Sequence, residues 1–290
     1  MKVIWVLENI KEDFSFYGKF NVLLLLASVR LWKKHYPEDS CFLYCDKLTE
    51  AVIHKTNALH FFDKVEQYTH DRDIDRNVFW AANKVAVLGK QTEPVILMDN
   101  DTLCFKPIKE YLDPTALTVY NLELGKGYYP GNADKHVRKL SYKPRWQTGS
   151  LNVSFLNLPD PDFTRRYSEL SLQIMEEMTK SKVPNSQYLI FAEQLVLRHM
   201  AEKEGVKLRS LMSTYWDCDA WDFGKEHDKG LWPWPEVEMY AKHYGPSKKL
   251  VLASEGDYDY DDEIKMLLIS AIAIFGIVYI LVANLKKLGE

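Results

Sequence analysis

The chain has 290 residues, 37 basic and 41 acidic side chains, a net charge of −4 and an apolar share of 47%. The charge argues against a nucleic-acid binder, which carries a basic excess. The length allows one large domain or two small ones, and the apolar share allows a substantial core.

After Met1-Lys2, an apolar run over residues 3–7 stops at Glu8. It is too short for a signal-peptide core and suits a first buried strand. Residues 20–32 read as a helix ended by Lys33, Lys34 and His35, with Pro37 as its stop. Residues 41–45 read as the next strand, 48–58 as a short helix and 63–68 as a third strand. Residues 77–88 have helical spacing at Trp80, Lys84 and Leu88, with Gly89 as the expected C-cap. Residues 95–98 then form an apolar run suited to a strand buried on both faces. This alternation predicts an α/β fold with a mostly parallel central sheet.

Past residue 101 the pattern loosens. Residues 120–148, rich in Gly, Tyr, Pro and Lys, read as a long loop. Residues 151–158 are strand-like, and 162–179 and 191–204 read as helices. The four cysteines, Cys41, Cys45, Cys104 and Cys218, form neither a C-x-x-C pair nor a zinc pattern and read as reduced thiols.

The end of the chain differs in kind. Residues 255–263 carry six acids and read as part of a solvated linker over 251–264. Residues 266–285 carry no charge and are apolar on every face, with Lys265 before them and Lys286 and Lys287 after. As a helix they span roughly 30 Å, the thickness of a bilayer core. A soluble helix would show a polar stripe. The expected organisation is a domain over 1–250, the acidic linker, and a single-pass C-terminal membrane helix over 265–287. With no N-terminal signal the domain is expected in the cytosol, although the tail lysines weakly favour the opposite orientation.

The chemistry centres on Asp99-Asn100-Asp101, directly after the 95–98 run. Ligands of open α/β sheets bind beyond the carboxyl ends of the strands. Two carboxylates there repel each other, and a hard divalent cation with oxygen ligands relieves both repulsion and desolvation. Such an ion can grip a diphosphate. The competing reading is an acidic turn, since Asp and Asn favour turns. Further segments fit the acids: Lys84 on the preceding helix, Asn152 in the 151–158 run, and Glu193-Gln194 at a helix start. Near residue 250, His243 and Lys248 flank Gly245. An imidazole can complete a metal shell begun by carboxylates, and a lysine can neutralise a leaving diphosphate. Leu7 with Glu8, and Tyr44 with Asp46, end the first two strands and are candidate base or ribose contacts.

Asp99-Asn100-Asp101 followed by Phe105-Lys106-Pro107 resembles the D-x-D region of nucleotide-sugar glycosyltransferases of the GT-A (Rossmann-like) fold. The pattern is similar to that of the retaining glycogenin and bacterial galactosyltransferase group. There a D-x-D is followed by an N-A-G-V strand, a D-Q-D helix start and a late H-x-x-G-x-x-K-P-W. Asn152-Val153-Ser154-Phe155 matches the second motif at its Asn, and Glu193-Gln194-Leu195 the third at its Gln, with Glu for the first Asp. His243-Tyr244-Gly245-Pro246-Ser247-Lys248 matches the fourth with one residue fewer before Gly, and Lys249-Leu250 replaces Pro-Trp.

The resemblance implies Mn2+ or Mg2+ held by Asp99, Asp101 and His243, with a UDP-sugar diphosphate completing the shell. It implies Gln194 and Asn152 near the donor sugar as catalytic residues, and Lys84, Asn100 and Lys248 on the nucleotide or its phosphates. The acceptor would be a glycan, lipid or protein, with retention of configuration. Two other readings use the same residues. A nucleotidyltransferase also employs paired acids and a metal, but it usually carries a glycine-rich basic loop near its first strand, and residues 7–19 hold a single Gly. The other is an inactive membrane-tethered binding or scaffold protein.

Overall fold

The computed structural model describes residues 1–8, 16–55, 59–104, 107–124, 130, 134–142, 150–211, 216–217, 220–221 and 241–243. The first half is built from strand–helix units: β1 (Lys2–Leu7), α1 (Phe16–His35), β2 (Ser40–Cys45), α2 (Lys47–Lys55), β3 (Lys64–Gln67), α3 (Ala82–Gly89) and β4 (Val95–Met98). The second half holds β5 (Thr102–Cys104), β6 (Leu117–Leu124), β7 (Ser150–Leu158), α4 (Pro161–Lys180) and α5 (Gln187–Ile190). A π-helical turn (Phe191–Leu195) leads into α6 (Val196–Glu204), followed by β8 (Leu208–Ser210), β9 (Trp216–Asp217), β10 (Ala220–Trp221) and β11 (Ala241–His243).

One sheet runs in the order β10-β9-β6-β7-β4-β1-β2-β3, with β8 also paired to β6. The β4-β1-β2-β3 portion is parallel, while β7 is antiparallel to both β4 and β6. The mostly parallel α/β sheet expected from the strand–helix alternation is present. A separate two-stranded ribbon joins β5 to β11.

Alternation along the strands feeds two cores. Val3, Trp5 and Leu7 of β1 and Ile96 and Met98 of β4 pack with Leu25, Val29 and Trp32 of α1. Ile4, Val95 and Leu97 face the other way, against Val85 of α3, Tyr167 and Met175 of α4 and Val196 of α6. A strand covered on both faces must be apolar throughout, which is why β4 reads as one unbroken hydrophobic run. The two large indoles have polar partners, as a buried N–H requires. Trp5 Nε1 donates to Ser28 Oγ at 3.0 Å and Trp32 Nε1 to Asp39 Oδ2 at 3.0 Å.

Several elements differ from the sequence expectation. The helix expected over residues 77–88 begins at Ala82, because the carbonyl of Asp75 takes the amides of Val78 and Phe79 in turns first. Gly89 is the last helical residue instead of the cap. A Cβ there would lie 2.5 Å from Ser168 Oγ, so glycine permits the close approach of α3 to α4. Part of the loop expected over 120–148 belongs to β6, which runs to Leu124; the glycine-rich composition starts only at Gly125.

The helix expected over 191–204 opens with a π turn. Hydroxyls of α4 engage it: Ser171 Oγ donates to the Ala192 carbonyl at 2.6 Å and Tyr167 Oη to that of Glu193 at 2.9 Å. Its end is marked by Gly205 at φ 68°, a left-handed cap. Cys41, Cys45 and Cys104 are buried free thiols, each pushed up to about 12 by burial.

The chain divides into one compact unit over Met1–His243 and another over Tyr244–Glu290. The expected linker and the membrane helix over 265–287 lie outside the described residues. Among the described residues, no helix is long and apolar enough to cross a membrane.

Candidate active site

Strands β1, β2 and β3 step in one direction across the sheet, and β4 returns to the opposite side of β1. The order therefore reverses between β1 and β4, the kind of crevice where open α/β sheets take ligands. Glu8 follows β1 there and Asp99 follows β4.

The acidic turn is pinned from below. The Ser154 carbonyl accepts from Asp99 N at 2.8 Å and from Thr102 Oγ1 at 3.1 Å, and Thr102 N closes the turn on the Asp99 carbonyl at 3.1 Å. Ser28 Oγ, which receives Trp5 Nε1, donates to the Thr102 carbonyl at 2.7 Å. Asn100 Nδ2 turns away from the acids and donates to the Asn21 carbonyl and Oδ1 on α1, both at 3.3 Å. Asp101 is buried, with 4% of its surface exposed.

Lys84 rises from the first turn of α3 into this turn. Its ammonium lies 3.0 Å from Asp99 Oδ1 and 2.8 Å from Glu193 Oε1. Burial works against its charge, but the Asp99 and Glu193 carboxylates outweigh it and hold the ammonium above the ordinary lysine value. Lys84 is therefore a fixed cation at neutral pH. The π turn that carries Glu193 also carries Gln194, whose Oε1 accepts from Ser150 Oγ at 3.0 Å. Asn152 Oδ1 accepts from the amide of Ser154 at 3.0 Å, and Asn121 stands opposite Asn152 in the β6–β7 register. Ser154 Oγ and Asn121 Oδ1 are buried without a hydrogen-bond partner among the described residues. A buried polar atom in that state calls for a ligand or a water.

A second polar group surrounds Glu8. Asn83, beside Lys84 on α3, accepts the His70 amide on Oδ1 at 2.8 Å, which fixes its amide so that Nδ2 donates to the Glu8 carboxylate. Burial pushes Glu8 up to about 7, against the pull of Arg76 and the Asn83 hydrogen bond and with a push from Asp46. Glu8 thus changes charge near neutral pH.

The geometry brings Lys84, Asp99, Glu193, Gln194 and Asn152 to one end of the sheet from four separate stretches of chain. The backbone of β11 pairs His243 with Thr102, the residue after Asp101. Lys248 lies outside the described residues. The other candidates have structural duties: Tyr44 is buried in the core at 5% exposure, and Asp46 Oδ1 accepts from the Thr49 amide at 2.7 Å, at the start of α2. Reading the sequence by motifs missed Asn83, Ser150 and Asn121. The signal for Ser150 is visible in retrospect, since Ser150, Asn152 and Ser154 put a polar residue at every second position in the first half of a buried strand.

As metal donors, the two aspartates offer hard carboxylate oxygens, which suit Mg2+ or Mn2+. No group of three His, Cys, Asp or Glu side chains suited to a metal occurs among the described residues.

A family model matches residues 3–231, most of the chain. The chain belongs to DUF6734, a family of unknown function. No curated protein matches this DUF6734 chain. Among solved structures it is similar to the galactosyltransferase LgtC in complex with donor and acceptor sugar analogues. That likeness has 12% identity and a TM-score of 0.41, over 72% of this chain and 73% of the other. The glycosyltransferase GlyE of Streptococcus pneumoniae TIGR4 is similar at 8% identity with a TM-score of 0.38, over 66% of this chain and 42% of its own.

Proposed function

We propose that this DUF6734 chain is a metal-dependent glycosyltransferase of the GT-A type that takes a sugar from a UDP-sugar donor. One observation carries the reading. Lys84, Asp99 and the Glu193-Gln194 pair, each singled out from a separate stretch of sequence, meet at the carboxyl end of β4 beside the switch in strand order. The buried oxygens of Ser154 and Asn121, without partners among the described residues, favour a hydroxyl-rich ligand on the same strands.

In this reading Asp99, Asp101 and His243 hold Mn2+ or Mg2+. When bound, the ion supplies Lewis-acid stabilisation of the departing nucleoside diphosphate. Lys84 keeps a fixed positive charge beside the donor phosphates. Gln194, held by Ser150, and Asn152, held by the Ser154 amide, orient the donor sugar. Transfer breaks the bond between the anomeric carbon and the diphosphate oxygen. It joins that carbon to a hydroxyl oxygen of a glycan, lipid or protein acceptor, with retention, and the hydroxyl proton leaves. Glu8 and Asn83 line the nucleotide side of the crevice. The uncharged residues 266–285 tether the enzyme to a membrane, with the catalytic domain on the cytosolic face.

The test is equilibrium binding of UDP with and without Mn2+. The parent should bind UDP in a manganese-dependent way, and Asp101→Asn should lose about a hundredfold in affinity while its melting transition stays within a few degrees. Equal binding by parent and variant would remove the metal from the scheme. Absence of any UDP binding would favour the scaffold. Release of pyrophosphate from UTP in the presence of a sugar 1-phosphate, with no UDP released from a UDP-sugar, would favour the nucleotidyltransferase.

A further inference from the structure

Lys84 is an unusual cation because two separate carboxylates share it. Its ammonium is buried, with 7% of the residue exposed, and lies 3.0 Å from Asp99 on the β4 turn and 2.8 Å from Glu193 on the π turn. Little water reaches such a group, so its ion pairs are weakly screened. Leaving a buried charge unpaired is costly, so an ammonium that loses one carboxylate is retained by the other.

We propose that Lys84 is an exchangeable counter-ion that couples ion binding at Asp99 to the state of Glu193. The proposal rests on Asp99 being a ligand of the divalent ion, as in the function proposed above. Without the ion, the ammonium neutralises Asp99 and competes for its oxygens. An incoming divalent cation repels the ammonium and drives it fully onto Glu193. Glu193 therefore acts on the metal without touching it: the stronger its hold on Lys84, the more readily Asp99 is released. The coupling is reciprocal, so a ligand that engages Glu193 and draws its charge from Lys84 must weaken the ion by the same factor that the ion weakens it. Lys84 and Glu193 are thus positioning residues toward the ion.

The two carboxylates lie nearly a hundred residues apart in sequence and reach Lys84 from different elements. Glu193 is held in place independently of the ammonium, because the hydroxyls of Tyr167 and Ser171 engage the backbone of the π turn. Asp99 is likewise held by its amide on the Ser154 carbonyl. With both carboxylates anchored through their backbones, the flexible lysine is the part able to move.

The experiment measures Mn2+ affinity of the full chain without nucleotide, by calorimetry or by the electron-spin resonance signal of free Mn2+. Glu193→Gln leaves Lys84 with Asp99 alone and should weaken Mn2+ about three- to tenfold. Lys84→Met removes the competitor and should tighten Mn2+ by a similar factor. The double variant should match Lys84→Met, since Glu193 then has no cation through which to act. Glu193→Gln is close to isosteric, so it keeps the test alive if Lys84→Met alone fails to fold; thermal melts report that. Unchanged Mn2+ affinity in Glu193→Gln overturns the counter-ion, and so do changes of the same sign in the two single variants. A parent that binds Mn2+ and loses it in Asp101→Asn, beside a silent Glu193→Gln, would sink this inference alone. A parent that binds no Mn2+ would sink it together with the metal reading.

Discussion

The two ends of the parallel sheet each hold a buried ionic cluster, and the clusters are built in opposite ways. At the amino end, before β2, a single carboxylate collects several donors. Asp39, 1% exposed, receives Lys109 Nζ at 2.7 Å, the Met1 amine at 2.9 Å and Trp32 Nε1 at 3.0 Å. At the carboxyl end, after β4, a single ammonium is divided between two carboxylates. An anion surrounded by donors is closed, because most of its lone pairs are taken and it has nothing to exchange. A cation split between anions can shift from one to the other when a charged ligand arrives. The first arrangement is a structural knot, and the second is suited to binding.

The pKa directions at the two ends carry the same contrast. Burial pushes Asp39 up, but Lys109, the Met1 amine and Trp32 more than offset it and leave the carboxyl below its usual value. Glu8, at the other end, is dominated by burial and is pushed up to about 7. One acid is stabilised as an anion by the fold and the other as a neutral group.

The largest effect that can break this comparison is removal of Asp39. Asp39→Ala should cost about 4 kcal/mol of stability, because Lys109 and the Trp32 indole lose a shared buried partner. Metal-dependent UDP binding by the fraction still folded should equal that of the parent. A loss of binding in the folded variant would mean that the two ends are not separate in role. Denaturant titration alongside UDP binding reads both quantities.

The next effect concerns pH. Because the folded pKa of Glu8 lies above its unfolded value of 4.5, the native state holds a proton that the unfolded chain has lost. Stability from this group is full below about pH 4.5, falls as pH rises toward 7, and levels off above it. The Asp39 contribution runs the other way, present above its unfolded pKa of 3.8 and lost as pH falls below it. Glu8→Gln should remove the decline between pH 4.5 and 7, a gain on the order of 2 kcal/mol relative to the parent at pH 8. Parallel stability–pH curves for parent and variant would place the Glu8 pKa near its ordinary value.

The smallest effect lies between the two ends. Ser28 links Trp5 of β1 to the Thr102 carbonyl beneath the acidic turn. Ser28→Ala should cost about 1.5 kcal/mol through the two buried groups left without it. If the carboxyl-end cluster depends on its support, Mn2+ affinity should fall a few-fold as well. A stability loss with unchanged Mn2+ affinity would confine Ser28 to the core.

Much of the architecture was legible in local pattern. The unbroken apolar run of β4 announced a strand covered on both faces, and the alternation with helices announced a parallel sheet. Boundaries erred where backbone turns take the place of the helix ladder, as at the Asp75 carbonyl, or where another element takes over carbonyls, as Ser171 and Tyr167 do at the π turn. Ser171 and Tyr167 lie on a different helix from the carbonyls they engage, so no local rule reveals them.

The sequence by itself determined that this protein is α/β, that two aspartates end a buried strand, and that a lysine, an acid–amide pair and an asparagine accompany them, in an order that resembles the glycosyltransferase motifs. Strand composition and residue spacing are local properties, and they survive without knowledge of the fold. Only the tertiary structure decided that Lys84 is buried between Asp99 and Glu193, that Asn83 donates to Glu8, and that Tyr44 belongs to the core. The reason is physical. Which carboxylate a buried lysine meets, and whether burial or a partner governs a pKa, depends on how crossovers bring distant strand ends together.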